Sequence, residues 1–185
     1  MEAAPEFIRM TPGCGALVRG MDLARPLDNA TTELLTNALA EYGVLFFRDQ
    51  ELTYEQHKSL GRCFGELHLH PAWPRLVDGH PEIMELFTDE NSERIAGEDW
   101  HSDVTCDREP PLGTILRMIE VPSVGGDTLF ANMYAAFETL SSSMQKRRKR
   151  TGRILNLSIR WSARTRSAVA KPYLLIASSQ RALWN

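Results

Sequence analysis

The residues with the clearest chemical potential are His101 and Asp103, within Trp100-His101-Ser102-Asp103-Val104-Thr105. Val104 and Thr105 favour a strand, where positions i and i+2 share a face. An imidazole nitrogen and a carboxylate oxygen then stand side by side, with Ser102 turned away. Two such ligands, joined by a second histidine from elsewhere, form the facial set that holds non-haem Fe(II) and leaves the opposite face open to reactants. On the hexapeptide alone, a surface His–Asp pair is the simpler reading. His68 and His70 make another i, i+2 pair. Pro71 and Pro74 beside them predict irregular loop, which weakens a metal reading there.

The elements that must carry these residues show in local signals. Phe7-Ile8-Arg9-Met10 and Ala16-Leu17-Val18-Arg19 read as short strands around a turn containing Pro12, Gly13 and Gly15. Asp28 or Asn29 caps a helix from about Thr31 to Tyr42, with Leu34, Leu35, Ala38, Leu39 and Tyr42 as its apolar stripe and Gly43 as its terminator. Val44-Leu45-Phe46-Phe47 is uniformly apolar, as expected of a strand buried on both faces. Thr53 and Gln56 form a capping box that opens a second helix running to Phe64. Strands are expected at Ile83–Phe87, at the His101 stretch before Pro110-Pro111, at Thr114–Ile119 and at Thr128–Ala131. A short helix follows near Tyr134–Leu140. Many short strands and two early helices predict a mainly β fold with peripheral helices, a sandwich or barrel.

A chain of 185 residues, 43% hydrophobic and 24% charged, has the composition of a globular domain with a real core. Three scattered cysteines, Cys14, Cys63 and Cys106, make no C-x-x-C pair. That disfavours a disulfide framework or a zinc knuckle and predicts a reducing, cytoplasmic setting. Neither a signal-like apolar stretch nor a run near the ~18–20 residues of a membrane span is present, so a soluble chain is expected. The net charge of −3 conceals a division. Residues 1–140 hold all 24 acidic residues against 10 basic ones, whereas residues 141–185 hold 11 basic residues and no Asp or Glu. A basic end of this kind is either a phosphate-binding segment or a piece not matched to the rest. Trp161 is the one aromatic residue between 146 and 166, so base stacking has little to work with. Weak, non-specific attraction to phosphates is what remains.

Four segments taken in order carry a family resemblance: Gly65-Glu66-Leu67-His68-Leu69-His70-Pro71, Trp100 to Thr105, Pro110-Pro111, and Pro122-Ser123-Val124-Gly125-Gly126-Asp127-Thr128-Leu129. Together they resemble the taurine dioxygenase family of Fe(II)/2-oxoglutarate-dependent dioxygenases. Leu45 to Gln50 and Ala135 to Ser141 fit the same pattern, so the resemblance covers about residues 8–145. It implies a double-stranded β-helix (jelly roll) with helices packed on it. It also implies an oxidoreductase that hydroxylates a small anionic organic substrate (a sulfonate, sulfate ester or carboxylate), with Fe(II) as cofactor, 2-oxoglutarate as co-substrate and O2 as reactant. Carried over by residue, His101 and Asp103 are the catalytic metal ligands. Thr128 binds the distal carboxylate of 2-oxoglutarate, and His70 and Trp73 line the substrate pocket. No membrane and no specific nucleic acid is implied as a partner, and self-association is left open.

The pattern also breaks. The family takes a second histidine and a 2-oxoglutarate-binding arginine from the later part of a considerably longer chain, whereas here no histidine follows His101. From about Lys146 the sequence no longer resembles the family. The expected organisation is the N-terminal part of a dioxygenase jelly-roll domain over residues 1–145. An atypical basic tail follows over 146–185, out of frame or disordered, that leaves the jelly roll incomplete and the chain inactive by itself. Two other classes stay open: a non-catalytic jelly-roll or cupin-like binding module, and a nucleic-acid binder acting through the basic tail.

Overall fold

The computed structural model describes residues 4–69, 76–89, 91–92, 99–103, 111–122, 126–150, 158–161 and 173–178. Beyond Arg147, Ile176 is the one residue whose side chain is described. In chain order the elements are β1 (Glu6–Arg9), β2 (Ala16–Arg19), α1 (Asn29–Tyr42), β3 (Val44–Arg48), α2 (Tyr54–Arg62), β4 (Leu76–Val77) and β5 (His80–Met84). They continue with β6 (Gly113–Met118), β7 (Thr128–Ala131), α3 (Met133–Glu138), α4 (Ser142–Arg150), β8 (Ser158–Trp161) and β9 (Tyr173–Ser178).

The apolar run Val44–Phe47 becomes a strand inside the main sheet, with Val44, Leu45 and Phe47 fully buried. That sheet has five strands in the order β1-β2-β3-β9-β6. β2 and β3 are parallel, which requires a crossover, and α1 is that crossover. The other pairings are antiparallel. Register defines the two faces. Ala16, Leu45, Ile176 and Ile115 are successive cross-strand partners, so they point to one side. There they meet Leu35, Ala38 and Leu39 of α1, Leu60 of α2, and Leu23 and Leu52 in a single core. Phe46 points to the opposite face, where its ring meets Phe130 of β7 edge-on at 6.0 Å. Both early helices therefore cover one face, and the other is left for the site.

Local chemistry fixes the ends of these elements. Asp28 accepts the Thr31 amide at 2.7 Å and caps α1, and Gly43, at φ 73°, closes it with its N–H on Leu39 O. Both halves of the Thr53–Gln56 capping box form, at 2.8 and 3.2 Å. The buried Gln50 amide ties the segment before α1 to the end of β3. It accepts from Leu23 N at 2.8 Å and donates to Met21 O and Arg48 O at 3.1 and 3.0 Å.

The strand expected at Ile83–Phe87 forms earlier, at His80–Met84. Val77 pairs with His80, leaving Asp78-Gly79 as a two-residue hairpin loop with Gly79 at φ 76°. An Asp-Gly pair at such a loop is a strong hairpin signal, and it outweighs the apolar content further along. The hairpin docks on α2 through Lys58. Its buried ammonium lies 2.8 Å from Glu55 and 3.8 Å from Glu82 of β5. The hydrogen bond from Lys58 is the main cause that holds the Glu55 carboxyl below its ordinary range. His80 rests on the Tyr54 ring at 5.0 Å. Its Nδ1 lies 3.4 Å from Glu55 without hydrogen-bond geometry.

Residues 146–185 do not all stand apart from the sheets. β9 lies between β3 and β6, with Ile176 in the core, and β8 pairs with β7. The apolar run Leu174-Leu175-Ile176 has the character of a buried strand even though the sequence around it is basic. The result is a mixed architecture of sheets and helices, not a mainly β one, because helices take up nearly as many of the described residues as strands do; α1 and α2 lie on one face of the larger sheet. Among the described residues no helix is long and apolar enough to cross a membrane.

Candidate metal centre

Ile115 belongs to the core row, so its neighbours Thr114 and Leu116 face the other side of β6. There the Thr114 hydroxyl donates to Asp103 Oδ2 at 2.8 Å. The other carboxylate oxygen, Oδ1, lies 3.2 Å from His101 Nε2. His101 Nδ1 is 2.9 Å from the Asp99 carbonyl. A carbonyl only accepts, so Nδ1 carries the hydrogen, and Nε2 of the neutral ring presents a lone pair. Two acceptors then face each other at contact distance, an arrangement that calls for a positive charge between or beside them. A proton on Nε2 would supply it, and so would a divalent metal. Nitrogen and oxygen donors suit iron, and a backbone carbonyl on the far nitrogen is the usual support of a metal-ligating histidine. The side chains are 36% and 26% exposed, respectively, so the pair is reachable from outside.

The means of juxtaposition differs from the expectation. His101 makes only an isolated bridge and Asp103 lies in a turn, while Val104 and Thr105 fall outside the described residues. The pair is therefore brought together by a turn held through the Asp99 and Thr114 hydrogen bonds, not by the alternation of a regular strand. Trp100, beside the pair in sequence, is half exposed.

Thr128 opens β7, and Phe130 two residues on packs against Phe46. By strand parity Thr128 points toward the same face of the large sheet, while Leu129 between them is exposed. The Thr128 hydroxyl is buried and has no hydrogen-bond partner. Leaving such a group unpaired costs about 1–3 kcal/mol, so it fits a position where a ligand oxygen completes the bond. β7 is pinned just beyond this residue. Asn132 donates to Gly13 O at 2.7 Å and caps α3 by accepting from Tyr134 N and Ala135 N at 2.9 and 3.1 Å.

Arg117 also has a buried, unpartnered Nε, but its parity with Ile115 places it on the helix-covered face. It lies beside His57, whose Nε2 is 3.3 Å from Ile115 O. Burial, reinforced by the Arg117 charge, keeps the His57 pKa below its ordinary value. Neither residue serves the His101 site.

His70 and Trp73 lie outside the described residues. Among the described residues no group of three His, Cys, Asp or Glu side chains is placed to hold a metal, so His101 and Asp103 stand as a two-ligand pair. The sequence reading missed Thr114 and Asp99. Thr114 carried a faint signal, a polar residue at the head of the apolar run Ile115-Leu116. Asp99 acts through its backbone carbonyl, which no side-chain pattern reveals.

Comparison with known proteins identifies the family. Residues 6–171 match the profile described as "Taurine catabolism dioxygenase TauD, TfdA family", a span that runs past residue 145. An alpha-ketoglutarate-dependent sulfate ester dioxygenase of Pseudomonas putida is 35% identical over 133 residues, 71% of this chain and 43% of that protein. The (S)-phenoxypropionate/alpha-ketoglutarate-dioxygenase of Sphingobium herbicidovorans is 38% identical over 136 residues, 72% of this chain and 47% of its own. The crystal structure of a taurine dioxygenase from Burkholderia xenovorans superimposes with a TM-score of 0.65 at 36% identity, covering 78% of this chain and 50% of that one. The chain thus spans about half the length of these relatives, or somewhat less.

Proposed function

The chain belongs to the taurine catabolism dioxygenase TauD, TfdA family, and from that membership we propose that it carries the Fe(II)- and 2-oxoglutarate-binding elements of an oxygenase acting on a small anionic organic substrate. The observation that supports this most is the His101–Asp103 pair, with Nδ1 on the Asp99 carbonyl at 2.9 Å and Nε2 3.2 Å from a carboxylate oxygen. His101 Nε2 and Asp103 Oδ1 are the atoms that hold the metal. The Thr128 hydroxyl donates to the distal carboxylate of 2-oxoglutarate. His70 and Trp73 line the substrate side, a role carried over from the family resemblance. When bound, Fe(II) with 2-oxoglutarate supplies the activation of O2 that oxidises a substrate C–H bond, the oxo acid leaving as succinate and CO2. The protein's own task is to orient these groups and shield them from bulk water.

The substrate class is a sulfonate, a sulfate ester or a carboxylate, in keeping with the activities for which the relatives are named. The five-stranded sheet and the β7–β8 ribbon serve as two walls of the family's jelly roll, with Phe46 and Phe130 joining them. This sequence contributes two metal ligands and has no histidine after His101, so the 185-residue chain alone binds metal weakly and does not turn over. Titration with Mn(II), a redox-silent stand-in for Fe(II), followed by electron paramagnetic resonance, tests the assignment. Binding should be present in the wild-type chain and lost in both His101→Ala and Asp103→Ala. Unchanged binding in either variant would remove that residue as a ligand. Sustained succinate formation by the isolated chain with Fe(II) would instead overturn the claim that its site is incomplete.

A further inference from the structure

We propose that Thr114 is the positioning residue of the metal carboxylate: its hydroxyl holds one oxygen of Asp103 so that the other alone is offered to the metal. The inference rests on the metal reading above and goes beyond it, since neither the motif nor the family resemblance singles out Thr114.

The two oxygens of Asp103 have different surroundings. Oδ2 accepts from Thr114 at 2.8 Å, and Oδ1 faces His101 Nε2 at 3.2 Å. The Thr114 bond occupies one of the two lone-pair sites of Oδ2 and fixes the carboxylate's rotation, so coordination through both oxygens is disfavoured and ligation through Oδ1 is favoured. The donor is borne on a firm support. Ile115, the next residue, accepts from His57 of α2 at 3.3 Å and packs in the core beneath. Asp103, by contrast, lies in a turn and not in a strand. The fixed partner is thus the threonine, and the carboxylate takes its orientation from it. Threonine suits the role because its β-branch restricts χ1, which pre-aims the hydroxyl.

The test uses the full 185-residue chain and Mn(II) as the probe, with binding read by electron paramagnetic resonance and folding by the thermal midpoint without metal. Thr114→Val keeps the shape and removes the donor, and should weaken Mn(II) binding by roughly tenfold or more, the usual effect of losing a group that supports a ligand. Thr114→Ala should do the same, which guards against a packing fault peculiar to valine. Thr114→Ser restores the donor and should recover most of the affinity. The metal-free thermal midpoints of Val and Ser variants should agree. Wild-type Mn(II) affinity in both Val and Ala variants would overturn the proposal, as would a Ser variant no better than Val. Asp103→Ala in parallel separates the two levels: if it leaves Mn(II) binding intact the metal reading itself fails, whatever Thr114 does.

Discussion

Replacing Thr128 by Val should move stability and ligand affinity in opposite directions. The exchange keeps the β-branched shape and substitutes a methyl group for a hydroxyl that is buried and unpartnered in the protein without ligand. Leaving a buried hydroxyl unpaired costs about 1–3 kcal/mol, so its removal should stabilise the ligand-free chain, by about 1 kcal/mol if the site relaxes little. The β7–β8 pairing is made by the backbone and the Phe130–Phe46 contact lies two residues away, so neither is disturbed. The same hydroxyl, in the role assigned to it, donates to a carboxylate of 2-oxoglutarate. Loss of a hydrogen bond to a charged group is worth about 1.5–3 kcal/mol, or roughly 10- to 150-fold in Kd. Urea denaturation without ligand would read the first effect, and calorimetric titration of 2-oxoglutarate with Mn(II) present the second. Thr128→Ser should keep the affinity. A valine variant that is destabilised by more than about 1 kcal/mol, and still binds 2-oxoglutarate like wild type, would refute the reasoning at both ends.

Two further outcomes follow from the fold. Gln50→Ala strands the buried Leu23 amide and frees two carbonyls, so the urea midpoint should fall by the equivalent of about 2–4 kcal/mol with the m-value unchanged. A shift under about 0.5 kcal/mol would mean water replaces the amide without loss. His57 is held neutral, chiefly by burial, its pKa lying below the ordinary 6.5. The unfolded chain takes up a proton that the folded one refuses, so stability should decline as pH falls through about 6.5 and be insensitive to this group well above it. His57→Gln should flatten that part of the stability–pH curve, and an unaltered slope would show that other groups dominate.

Much of the early fold was legible because its signals are local. Asp28, Gly43, Thr53 and Gln56 each act within a few residues, and the alternation of Leu45 and Phe47 against Phe46 is intrinsic to the strand. The Asp78-Gly79 loop was equally local, but the apolar residues from Ile83 to Phe87 drew the strand too far along. The metal pair was legible as residue types two positions apart, though the mechanism of juxtaposition was not. A turn closed by a backbone carbonyl and by a hydroxyl on a distant strand leaves no periodic trace. β9 was hardest. Leu174-Leu175-Ile176 reads as a strand, but its place between β3 and β6 depends on partners far away in sequence, while the excess of arginine around it argued for a segment apart.

The position of β9 also bears on how the molecule comes into being. β3 emerges early in synthesis and β6 later, yet they are not neighbours in the sheet: the strand that joins them arrives only with residues 173–178. Until then both have unpaired edges, and the core lacks Ile176 on the row between Leu45 and Ile115. Closing loops of that length is entropically expensive and slow, and open edges invite pairing with other chains. A growing chain halted at about residue 150 would therefore expose strand edges that β9 later covers, and its yield would depend on chaperones that hold it until β9 is made.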